Sequence, residues 1–225
     1  DANNNVTKSR DVLAPAPVLE AAVGLFRGLP GGILAVDALG AAQLVPNEKL
    51  AKDIRVDSGA PRIGPLSLGL GFGVRVGLLG EGVVRPGIAA SIMRRGIPRV
   101  GFGNLAAGDD IAADVDLHAT TLRLVASKRF AVLIVAVGGG WSKYTGTALA
   151  SFRNPVTSLA ENISVDLSQT RTVAFLDAGL DLKVIKVIGE IGRQSGSDQH
   201  LITNFQGYDD TKGTTFYSVG LRFGF

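Results

Sequence analysis

The chain has 225 residues, no cysteine and a net charge of only +3. That bounds it to one domain, or one domain with an appendage, and excludes disulfides, thiolate metal sites and cysteine nucleophiles. No basic run is interleaved with aromatics, so the footprint of a nucleic-acid binder is missing and no nucleic-acid partner is expected.

Residues 1–10 are polar and open on an acidic residue. If the protein is exported, its signal has been removed. Residues 12–30 change character. Val18, Ala21, Ala22, Leu25 and Phe26 recur at helical spacing behind Pro17, and Gly28 with Pro30 ends the run. This spacing predicts a short amphipathic helix in an appendage over residues 1–32. Its simplest role is to cap one mouth of a barrel; lying at a membrane interface or plugging the lumen are the alternatives.

Residues 33–45 form the first expected strand. Leu34, Val36, Ala38, Ala42 and Leu44 share one parity, with Asp37 and Gln43 on the other. The clearest strand covers residues 66–78. Leu66, Leu68, Leu70, Phe72, Val74, Val76 and Leu78 alternate with Ser67, Gly69, Gly71, Gly73, Arg75 and Gly77. Alternate residues of a strand face opposite sides, so one face is wholly apolar and the other small or polar. A soluble sandwich would show many polar groups on its outer face. A lipid-facing wall over a crowded interior fits better. Glycine is 30 of 225 residues, well above the usual share of about 7%, and narrow inward positions give it a reason.

A short turn at residues 79–82 leads to Val84, Pro86, Ile88, Ala90 and Ile92, opposite Arg85, Gly87, Ala89 and Ser91. Pro86 cannot donate to a ladder and belongs near the strand start. Residues 96–110 read as a long loop. Ile111, Ala113, Val115, Leu117 and Ala119 then resume the outward parity, which turns Asp114, Asp116, His118 and Thr120 inward. The register is ambiguous near residues 122–125, where a bulge could fall, and residues 127–129 read as a turn. Residues 130–140 are apolar on both parities, so pattern cannot choose their inward face. The apolar run from Phe130 to near Trp141 is shorter than the ~20 residues of a transmembrane helix but meets the ~9–11 of a spanning strand. Residues 143–171 read as a long connection with its tip at Asn154-Pro155. Ala174, Leu176, Ala178, Leu180 and Leu182 follow as a strand, opposite Asp177, Gly179 and Asp181. After a turn near residues 183–184, Val187, Gly189 and Ile191 face out, with Lys186 and Glu190 in. Residues 194–213 are the last long loop.

The final stretch, residues 214–225, places Tyr217, Val219, Leu221, Phe223 and Phe225 on one parity, and Phe216, Ser218, Gly220, Arg222 and Gly224 on the other. It resembles the C-terminal strand of bacterial outer-membrane β-barrels, which ends in Phe behind alternating apolar residues. The resemblance implies location in a bacterial outer membrane and contact with its lipid. It also implies that the five apolar residues are read by the barrel assembly machinery. Short and long connections alternate between eight expected strands, as they do in such barrels. Ten strands result if residues 145–152 and 163–167 pair as a further hairpin; otherwise they lengthen two strands beyond the membrane.

The expected fold is therefore all-β: an up-and-down antiparallel transmembrane β-barrel over residues 33–225, eight-stranded with ten as the alternative, with the helical or coiled appendage on the periplasmic side. Inward charged groups are Arg75, Arg85, Asp114, Asp116, His118, Asp177, Asp181, Glu190 and Arg222. Charges in a narrow lumen must be paired, so these read as structural clusters. An Asp–His general base at His118, with Thr120 nearby, is the enzymatic alternative. Asp109-Asp110 and Asp209-Asp210 lack the spacing of a calcium loop, and the glycine runs lack a dinucleotide fingerprint, so neither metal nor cofactor is expected. Trp141 with Tyr144 fits an interfacial aromatic girdle. The role follows as structural or interactive, with a protein partner at the outer loops or the N-terminal segment; a porin-like channel for small solutes is the other class.

Overall fold

A computed structural model describes residues 18–46, 54–56, 62–63, 66–102, 111–153, 160–182, 185–196 and 211–223. The strands are β1 (Val18–Phe26), β2 (Ala35–Pro46), β3 (Ile54–Val56), β4 (Arg62–Ile63), β5 (Leu66–Leu79), β6 (Gly87–Phe102), β7 (Ile111–Phe130), β8 (Leu133–Arg153), β9 (Ala160–Asp181), β10 (Ile185–Gln194) and β11 (Thr214–Phe223). Nine of them follow one another in a single sheet, in the order β1-β2-β5-β6-β7-β8-β9-β10-β11, each antiparallel to the next. The short β3 and β4 pair with β6 and β5. The chain is thus an all-β, up-and-down sheet curled into a half-barrel. β1 and β11 are its two edges. Among the described residues there is no helix.

The register divides every strand into two faces. On β5, Leu70, Phe72, Val74 and Leu78 are exposed on the convex side, while Ser67 is fully buried on the concave side. Met93, Ala119, Ala136, Val173 and Phe175 are all buried on that same concave side. The core of this protein is therefore the hollow of the sheet. Its glycines make room for aromatics: a Cβ on Gly138 or Gly192 would run into the ring of Phe175 or Phe216 from the neighbouring strand. Such glycine–aromatic pairing pins register in curved sheets.

Three expectations are corrected here. Residues 18–26 form a strand, not an amphipathic helix. The run V-L-E-A-A-V-G-L-F satisfies both periods. Leu19, Ala21 and Val23 continue the convex face of β2, and a ladder along β2 supplies the backbone bonds a lone helix turn would have to make itself. The turn that follows uses Gly28, Gly31 and Gly32 at positive φ.

Second, β6 does not stop at Gly96. It runs to Phe102, with a register shift between Ile97 and Val100 where Pro98 removes a ladder donor. Its start is later than the alternation suggested, at Gly87 directly after Pro86.

Third, residues 127–129 are strand. The β7–β8 hairpin turns at Ala131 and Val132, between the paired Phe130 and Leu133, with Ala131 at φ 54. β8 and β9 then run unbroken through residues 143–171 up to Arg153 and Ala160. The stretches 145–152 and 163–167 therefore lengthen two strands and add no further pair to the sheet.

Candidate functional site

The concave face is where the charged side chains meet. Arg75 on β5 lies directly across from Asp37 on β2. Its Nε donates to Asp37 Oδ2 at 2.8 Å, and Nη2 lies 2.7 Å from the same oxygen. Arg95 on β6 reaches over β5 and β2 to Glu20 on β1, at 2.5 Å. Arg123 on β7 faces Glu190 on β10 at 3.6 Å, with β8 and β9 between them, and stacks over the Phe175 ring at 5.0 Å. These contacts between strands that are not neighbours are possible because the sheet curls. Near the β9–β10 turn, Asp181 accepts from Arg129 at 3.3 Å and from Lys186 at 3.1 Å. Asp177 and Glu190 are cross-strand partners on the same face.

Of the residues singled out in the sequence, Arg75, Asp177, Asp181 and Glu190 lie on this face. Arg222 pairs in register with Lys186. Arg85 does not join them: it is exposed in the β5–β6 turn, where its carbonyl accepts from the Gly82 amide at 3.1 Å. Asp114, Asp116 and His118 do not join them either. The unbroken register of β7 with β8 places Ala119, Thr121 and Arg123 on the concave face and these three, with Thr120, on the convex one. Asp116 there meets Arg99 at 3.4 Å and His118 at 3.9 Å.

The alternation of β7 points to the wrong face because the strand carries apolar residues on both parities and is twice the length a spanning strand needs. With both side chains close to half exposed, the Asp–His pair is a surface cluster. Tyr144 faces inward, opposite in parity to Trp141, and its hydroxyl accepts from Gln194 at 3.1 Å. The two therefore do not form one girdle.

Tyr217, Val219 and Leu221 are exposed on the convex face of β11. Phe223 closes that strand in register with Ile185. Phe225, His200, Asp109-Asp110 and Asp209-Asp210 lie outside the described residues. Sequence reasoning passed over Glu20, Arg95, Arg123 and Arg171. For Arg123 the deciding signal is its pairing with Gly140 of β8, which lies outside its own strand.

A cavity of about 270 Å³ opens on the concave face between Gln43 of β2 and Phe216 of β11. Among the described residues no group of three or more His, Asp or Glu is placed to hold a metal ion. No protein-family model matches the chain, and no curated protein matches it in sequence.

Proposed function

We propose that the chain is an outer-membrane β-barrel protein with a structural or interaction role, its convex face in lipid and its lumen filled by its own side chains. The observation that carries this reading is the inversion of faces. Phe72 is 71% exposed and Val219 84% exposed on the convex side, whereas arginines and carboxylates are gathered on the concave side. In water that arrangement leaves an apolar patch far larger than soluble monomers tolerate. In a bilayer it is the expected order. Lipid is then the first partner. The alternating Tyr217, Val219 and Leu221 of β11 suit recognition by the barrel assembly machinery, as in the proteins that strand resembles. The upper part of β7, β8 and β9, polar on its convex side, is the part available to a protein partner.

The ion pairs Arg95–Glu20 and Arg123–Glu190 favour a filled lumen over an open one, because each crosses the hollow. A porin-like channel is the second reading, and the cavity between β2 and β11 is what favours it. Reconstitution into liposomes and planar bilayers separates these outcomes. The proposal expects carbonate-resistant insertion without single-channel currents. Stable, selective currents would promote the channel. A chain that stays soluble and folded without detergent would remove the membrane reading altogether.

A further inference from the structure

The cavity on the concave face has an unusual lining. Arg95, Arg123, Gln43 and Gln194 reach it from four strands, and Thr121, Ser142 and Tyr144 add hydroxyls; no carboxylate lines it. The remaining wall is apolar, with Val173 and Phe216 among its members. Next to this lining, Arg171 and Gln169 on β9 pair in register with Ser142 and Tyr144 and share their face. Arg171 Nε and Gln169 Nε2 are buried and have no acceptor. Leaving such donors unmet is costly, the more so for a charged group. Arg75, Arg95, Arg123, Arg129 and Lys186 on this face each have a carboxylate partner. Arg171 makes no ion pair among the described residues.

We propose that this cavity binds a small organic anion: a carboxylate carried on a short apolar body. The guanidiniums of Arg123 and Arg171 would meet the carboxylate, since charge-assisted bonds to a planar fork are the strongest the lining offers. The apolar body would rest against Val173 and Phe216. The volume suits an occupant at the small end of ligand sites. The site needs only the curled sheet, and stands whether or not the convex face lies in lipid.

The test is calorimetric titration of the folded full-length chain in detergent with three probes: benzoate, its neutral isostere benzamide, and inorganic phosphate. Benzoate is expected to bind, benzamide at least tenfold more weakly, because it lacks the charge, and phosphate more weakly than benzoate because it lacks the apolar body. Arg171→Gln is the informative variant, since it strands no carboxylate. It should weaken benzoate roughly tenfold while circular dichroism and urea unfolding stay at wild-type values. Should Arg171→Gln fail to fold, the wild-type comparison of benzoate with benzamide still decides. Equal binding of those two, no binding of benzoate, tighter binding of phosphate, or unchanged affinity in a folded Arg171→Gln variant would each overturn the proposal.

Discussion

The lower and upper parts of β7, β8 and β9 share one register and differ in what they show outward. Near the β7–β8 turn the convex face carries Leu122, Leu124, Val137, Trp141 and Leu176. Farther along the same strands it carries Asp116, His118, Lys143, Thr145, Thr147, Asp166 and Ser168. Nothing in the backbone changes between them, since the ladder is continuous from Leu133 to Arg153. The change is one of side-chain chemistry on the convex parity. The apolar part is about as long as a spanning strand requires, ~9–11 residues, and Trp141 sits where it ends, between Leu122 and Thr172. If the convex face lies in lipid as proposed, strand length alone does not set the boundary; the chemistry of the convex parity does.

The largest effect should come from charging the apolar part. Val137→Arg, in the middle of that stretch and 57% exposed, is expected to cost about 2–4 kcal/mol in urea unfolding from lipid. The matching change Thr147→Arg in the polar part should stay within ~0.5 kcal/mol. Equal costs at both positions would erase the distinction between the parts.

Breaking a concave pair comes next. Asp37→Ala leaves the Arg75 guanidinium unmet. A fully buried pair would lose ~3–5 kcal/mol; partial exposure of both side chains reduces the expectation to about 1–3 kcal/mol. A wild-type unfolding curve would mean the concave face is freely hydrated. Gly138→Ala, which sets a methyl against the Phe175 ring, should cost a similar or slightly smaller ~1–2 kcal/mol. The double change Gly138→Ala with Phe175→Leu should recover part of it.

The smallest effect belongs to the convex Asp116. Asp116→Asn is expected to shift stability by less than ~0.5 kcal/mol. A loss several times larger would mean that Asp116 sits inside after all, as the alternation of β7 first suggested.

How much of this was legible in the sequence depended on whether one parity was clean. β5 was readable because seven apolar residues alternate without a break against serine, glycines and one arginine. The same holds for β10 and β11, whose outward sets match the register. β7 was not readable, because Val115, Leu117 and Ala119 are apolar on the face that turns inward. Only the partner strands, through Thr121↔Ser142 and Arg123↔Gly140, settle which side they take. β1 failed for a different reason. Its pattern fits helix and strand alike, and the deciding fact, a free edge on β2, is not local. The ion pairs between Glu20 and Arg95, or Arg123 and Glu190, depend on curvature, which no single strand encodes.

The single tryptophan allows the central claim to be tested directly. Trp141 is the only one in the chain and is 52% exposed on the convex face. In liposomes containing lipids brominated at graded depths along the acyl chain, its fluorescence should be quenched, most strongly by bromines close to the headgroups and less by those near the bilayer centre. Red-shifted emission that no brominated lipid quenches, from a folded and liposome-associated protein, would contradict a convex face in lipid.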